Sequence, residues 1–161
     1  MRSPCRYATR AAALALIGAL TVVLSKSMAE QPASAFAPDF LQELSQSKEI
    51  YVATVRKDGT RSAAVPIWFA LMDDAIWSST SPSSHKARRV HRGSPMLVSA
   101  RGTDGPFVKA NAEVVKDGAL AERLGELYAR KYWRAWLGFF RPGRAKLEAG
   151  TIVLLKLTAS P

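Results

Sequence analysis

Residues 51–86 read YVATVRKDGTRSAAVPIWFALMDDAIWSSTSPSSHK, three strands in succession closed by a polar loop that runs into a helix. Residues 51–56 alternate and are β-branched, as a half-buried strand is. Asp58-Gly59 follows, the strongest short-range hairpin signal, because both central positions of such a turn need φ > 0. Residues 61–71 form the second predicted strand, and Met72-Asp73-Asp74 turns it into a third over 75–79. Thr80-Ser81-Pro82-Ser83-Ser84-His85-Lys86 then combines hydroxyls, the free N–H groups of a helix start and cations. Together these suit a phosphate.

Working outward, residues 40–47 read as a short helix with Asp39 as its N-cap and Phe40, Leu41 and Leu44 on one face. After the three-strand block come a basic helix over 85–91 and a fourth strand, 96–100, entered through Gly93-Ser94-Pro95. A fifth strand is expected over 107–116. Asp117-Gly118 then starts a long helix to about residue 137, with a stripe of Leu120, Leu124, Leu127, Tyr128, the Lys131 stem, Trp133 and Trp136. Residues 139–150 read as irregular, and 151–158 (TIVLLKLT) as a sixth, mostly buried strand. Six strands with two or three helices fit a small closed or split barrel rather than a parallel sheet.

Strand, Asp58-Gly59 turn, Val65-Pro66-Ile67-Trp68, and Thr80 with Ser84-His85-Lys86 resemble, in that order, the FMN-binding split barrel of the pyridoxamine 5′-phosphate oxidase-like superfamily. The likeness continues through Arg92-Gly-Ser-Pro95 and Ala110-Asn111-Ala112-Glu113, and covers roughly residues 40–115. Ala110 departs from the glycine usual there, and His85 stands where arginine is common. The resemblance implies a six-stranded antiparallel Greek-key split barrel. It implies FMN as cofactor, with a deazaflavin or haem as alternatives, and a flavin-dependent oxidoreductase acting on a small molecule. The implied cofactor-binding residues are Arg61, Val65, Pro66, Trp68, Ser79, Thr80, Ser84, His85 and Lys86. Split barrels of this kind usually place the cofactor between two subunits, so a homodimer is expected, with Trp68, Trp77 and the strand edges as its surface.

The residues themselves leave alternatives open. Ser84 can equally cap the following helix. A proline in mid-strand removes a ladder donor and belongs at an edge, where Trp68 is either a ring wall or a core residue. Lys131-Tyr132-Trp133-Arg134-Ala135-Trp136 reads as helix packing with solvated arginines, as a lid over a ligand, or as a stacking surface for bases. No catalytic acid–base pair and no Ser-His-Asp set emerges, so in an enzyme the cofactor would carry the chemistry. A haem-binding, non-catalytic barrel would need His85, His91 or Tyr132 as axial ligand.

Nearly half of the 161 residues are apolar, enough for one domain with a core. The net charge is +10, but Arg2, Arg6, Arg10 and Lys26 lie in the first 29 residues, which hold no acid. The remainder is basic enough to favour anionic ligands without marking a nucleic-acid protein; Arg88, Arg89 and Arg92 would carry that weaker reading. Cys5 is the one cysteine, so no disulfide framework or thiolate metal site is expected. Residues 11–24 (AAALALIGALTVVL) after three arginines, followed by Ser27-Met28-Ala29, match a secretory signal cleaved after Ala29. Residues 1–29 therefore read as a signal peptide or hydrophobic anchor, 30–38 as a linker and 39–161 as the flavin-binding barrel. The alternative is a cytoplasmic protein starting at Met28. Membrane association is expected only through an uncleaved N-terminal segment.

Overall fold

The computed structural model describes residues 36–160, and the readings for residues 1–35 lie outside it. The elements follow in the order α1 (Pro38–Gln46), β1 (Ile50–Thr54), β2 (Val65–Ile67), β3 (Ala70–Met72), β4 (Ala75–Thr80), α2 (His85–His91), β5 (Met96–Ser99), β6 (Val108–Val115), α3 (Gly118–Lys131), α4 (Trp133–Trp136), α5 (Arg144–Glu148) and β7 (Val153–Ala159). One antiparallel sheet of seven strands runs β2-β1-β5-β6-β7-β4-β3. Its two edge strands, β2 and β3, are separated in sequence by Trp68 and Phe69 alone. The sheet must therefore curl until its ends nearly meet, which makes it a split barrel with no long free edge.

Seven strands rather than six result from a break in the expected 61–71 strand. At Trp68-Phe69 the chain leaves β1 and turns towards β4, so both residues lose their ladder partners. Side chains replace the lost bonds. The Tyr132 hydroxyl accepts from Phe69 N–H (2.9 Å) and donates to Phe69 C=O (3.0 Å). Tyr128 Oη (2.7 Å) and Ser78 Oγ (2.9 Å) both donate to Trp68 C=O. Buried backbone groups need such partners.

Two further corrections concern turns. At Asp58-Gly59 only the glycine lies at positive φ (81°), with Gly59 N–H donating to Arg56 C=O (3.1 Å). The two-residue hairpin with both centres left-handed is Asp73-Asp74 (φ 51° and 55°), between β3 and β4. Arg123 clasps the first of these with two hydrogen bonds of 2.8 and 3.2 Å to the Asp73 carboxylate.

Ile50, Val52, Phe69, Ile76, Met96 and Leu157 help fill the barrel interior, and Phe40 and Leu44 of α1 pack against that core. A second core lies between α3 and the sheet, around Trp77, Leu124, Tyr128 and Leu154. Trp77 is therefore interior, with Nε1 donating to Met72 C=O (2.9 Å), and offers no dimer surface. The long helix expected to residue 137 ends at Lys131. Tyr132 is extended (φ −125°, ψ 118°), and after it α4 buries Ala135 while Trp133 and Trp136 face outward.

Gly125 lets the 139–143 segment return onto α3, because a Cβ there would run into the Pro142 carbonyl. Gly125→Ala should gain about 1 kcal/mol in helix propensity and lose more to overpacking, a net destabilisation of about 1–2 kcal/mol. Chemical denaturation checks the sign: an alanine variant as stable as the parent would mean that the segment does not lie against α3.

Candidate functional site: a cationic cleft between β1, β2 and α2

Helix α2 starts where the loop chemistry predicts. Ser84 is its N-cap, with Oγ accepting from Ala87 N–H (3.2 Å) and from Thr80 Oγ1 (3.2 Å). Capping sets the helix direction, and residues 85, 86 and 89 then face the strand pair β1–β2. The result is a cleft of about 330 Å³ lined by Thr54, Arg56, Ser62, Val65, Ser84, His85, Lys86 and Arg89, among others, with no carboxylate in its wall.

Lys86 is half-buried, and burial lowers its pKa; among the described residues its ammonium has no hydrogen-bond or ion-pair partner. Arg89 Nη1 donates to Thr54 Oγ1 (2.6 Å), and the Ser62 hydroxyl accepts from Thr54 N–H (3.0 Å). Arg56 is held by Thr60 Oγ1 (2.9 Å) and by the Arg61 carbonyl (2.7 Å). A desolvated ammonium beside two guanidinium groups and three hydroxyls is a donor set without an acceptor of its own charge. Such a set is completed by an oxyanion.

Of the residues singled out in the sequence, Val65, Ser84, His85 and Lys86 meet here. Thr80 supports the cleft through Ser84 without lining it, and Ser79 faces a separate hollow with Thr80, Phe140 and Arg141. Pro66 is exposed on the edge strand β2, opposite Tyr51, where its missing N–H costs no ladder bond. Arg61 does not join the cleft. Its guanidinium lies 4.5 Å over the Phe107 ring and reaches the Thr103 carbonyl at 3.4 Å.

Trp68 stacks on Tyr132 (4.3 Å, 4° between planes) and walls a second, larger cleft of about 660 Å³, together with Tyr51, Lys131 and Arg134. Tyr51 and Val52 are consecutive on β1, so their side chains leave opposite faces of the sheet, and the two clefts flank one strand pair. Thr54, Arg56, Ser62 and Arg89 were not among the expected site residues. Arg89 was findable, since it stands three residues from Lys86 on the same face of a helix. As a haem ligand Tyr132 is ruled out, because its hydroxyl is committed on both sides to Phe69; His85 and His91 are exposed on α2.

In the larger cleft Lys131 Nζ sits 3.3 Å from the Phe69 ring centroid. Burial pushes its pKa from 10.5 down to about 8. Between these values the unfolded chain holds a proton that the folded chain has released, so stability attributable to this group rises from pH 8 towards 10.5. Unfolding measured across that range should show the parent gaining on Lys131→Met. A constant difference would place the ammonium in water.

A curled antiparallel sheet whose ends nearly meet, with a cationic cleft beside its edge strand, defines a split barrel. The chain belongs to the pyridoxamine 5′-phosphate oxidase family, whose model matches residues 36–160. No curated protein matches the chain. Solved structures of similar fold include an F420 reductase (20% identity, covering 78% of this chain and 97% of that one, TM-score 0.51). A FAD- and haem-binding protein from Mycobacterium smegmatis is 22% identical over 80% of this chain and 69% of that one, with a TM-score of 0.52. A FAD-binding protein from Mesorhizobium loti is 15% identical over 80% and 92%, with a TM-score of 0.54. Identities this low speak for the fold alone.

Proposed function

We propose that this barrel binds a flavin-type cofactor, FMN before a deazaflavin, and acts as an oxidoreductase on a small molecule. The observation that carries the reading is the carboxylate-free cleft in which Lys86, Arg89 and Arg56 converge beside Thr54, Ser62 and Ser84. These residues fit a cofactor phosphate: Lys86 and Arg89 supply charge, and the hydroxyls supply directed hydrogen bonds. When bound, a flavin supplies hydride transfer, which the chain's own side chains do not offer. The edge strand β2, with Pro66 and the backbone around it, is the surface against which a flat ring would rest. Trp68 and Tyr132 then wall the neighbouring cleft on the substrate side, where Lys48, Arg101, Lys131 and Arg134 outnumber the one carboxylate, Glu49.

Similar folds that bind FAD, F420 or haem support a cofactor role and leave its identity to experiment. Titration of the purified protein with FMN, F420 and haemin, followed by fluorescence and absorbance, tests it. Saturable FMN or F420 binding is expected. A Soret band with no affinity for either flavin would replace this reading with a haem-binding one.

We also propose a homodimer and export through the N-terminal segment. Sedimentation at micromolar concentration tests the first, and a monomer there would remove it. Intact mass tests the second: a chain beginning at Glu30 means cleavage after Ala29, whereas one beginning at Met28 or Ala29 ends the export argument.

A further inference from the structure

Among the described residues six large hydrophobic side chains are exposed, and five of them lie in one short stretch: Trp133, Trp136, Leu137, Phe139 and Phe140. Trp133, Trp136 and Phe140 each keep about 70% of their surface in water, at 68%, 71% and 70%. Soluble surfaces rarely carry aromatic residues so densely unless something covers them. The turn that displays them is fixed from beneath. Ala135 is buried, and Tyr132 is pinned to Phe69. Trp133 and Trp136, three residues apart, share one outward face. Phe140, at φ 55°, reaches back to meet the Trp68 ring edge-on at 5.8 Å.

The stretch of chain that carries this face is basic, with the nearest acids at its margins. From residue 127 to 147 the chain carries Arg130, Lys131, Arg134, Arg141, Arg144 and Lys146 and no acidic residue. Arg130 and Arg144 are paired with glutamates, but Arg134 and Arg141 form no ion pair among the described residues. Trp and Phe beside unpaired arginines is the composition of a surface that lies at a membrane–water interface. A second copy fits less well. A two-fold contact sets a patch against itself, so it would bring the unpaired Arg134 and Arg141 of both copies into one interface.

We propose that the Trp133–Phe140 face docks on the surface of an anionic lipid bilayer, its aromatic rings at headgroup level and Arg134 and Arg141 against lipid phosphates. No helix among the described residues is long and apolar enough to cross a membrane, so the contact is one of lying on the surface. Trp133 and Arg134 also line the larger cleft, which therefore opens beside the bilayer. Docking stands independently of the flavin reading.

The test uses the full chain, whatever the fate of its N-terminus, because all four tryptophans (Trp68, Trp77, Trp133 and Trp136) lie outside residues 1–35. Tryptophan emission is followed with vesicles of phosphatidylglycerol and phosphatidylcholine carrying brominated acyl chains. A blue shift and quenching are expected, leaving an unquenched remainder from buried Trp77. Arg134→Glu with Arg141→Glu should raise the lipid concentration needed for quenching by on the order of tenfold or more, since each cation near an anionic surface contributes about a fivefold factor. Phe139→Ser with Phe140→Ser, at exposed positions, should reduce the quenching without unfolding the barrel. Absent quenching, equal quenching with phosphatidylcholine alone, or quenching indifferent to the charge reversal would overturn the proposal. So would a lipid-free blue shift that grows with protein concentration alongside dimer formation, which would assign the face to a second copy.

Discussion

Tyr132→Phe is expected to cost about 2–3 kcal/mol of folding free energy, because it orphans a buried donor and a buried acceptor at once. The lost hydroxyl is the partner of both the N–H and the C=O of Phe69, a fully buried residue at the corner between β2 and β3. Water cannot reach these groups to replace it. Phenylalanine retains the ring that stacks on Trp68, so the loss isolates the hydrogen bonds from the packing. Tyr128→Phe provides the internal comparison. Its hydroxyl shares the Trp68 carbonyl with Ser78 Oγ, which stays in place, so only about 1 kcal/mol should be lost. Urea unfolding with unchanged m-values reads both. Equal, small effects would mean that the corner is not held by these tyrosines.

The same pair predicts an alkaline limit. Burial pushes the Tyr132 phenol from 10.0 up to about 12, and burial raises Tyr128 as well. In the unfolded chain a tyrosine ionises near pH 10. The stabilisation is therefore complete below pH 10 and is lost as pH rises through the folded values. Tyr132→Phe should flatten this decline between pH 10 and 12.

Lys86→Ala is expected to weaken FMN binding by about 1.5–3 kcal/mol, roughly 10- to 150-fold, the contribution of a charge-assisted hydrogen bond. Lys86 is the discriminating choice because its ammonium has no partner among the described residues, so removing it breaks nothing else there. Ser84→Ala would also uncap α2, and Arg89→Ala would free the Thr54 hydroxyl. Burial has already taken part of the hydration from the Lys86 ammonium, which lowers its pKa, and an incoming phosphate would compensate that loss. Fluorescence titration of parent and variant decides the matter. Unchanged affinity in a folded variant would show that the phosphate lies elsewhere. Lys86 lines a cleft that contains no residue of the Trp133–Phe140 face, so vesicle quenching should survive the substitution.

What could be read from the residues alone is what short-range physics specifies. Helix α2 begins and ends where expected, because Ser84 caps it and Gly93-Ser94-Pro95 stops it. The Asp117 cap starts α3, and Pro66 marks an edge strand because a proline can sit in a ladder only where its missing N–H is not needed. The ordered motifs from Asp58 to Lys86 were enough to point to the family. Tertiary structure decided what depends on partners far away in the chain. The 61–71 strand divides at Trp68-Phe69 because tyrosines from the end of α3, 60 and 63 residues away in sequence, supply the hydrogen bonds that a neighbouring strand would otherwise supply. For the same reason the helix expected to run to residue 137 breaks at Tyr132, whose extended backbone lets its hydroxyl reach the corner. Trp77 and Trp136 look alike as sequence. One is sealed beneath α3 and the other stands in water, because the burial of an aromatic ring is set by what folds over it.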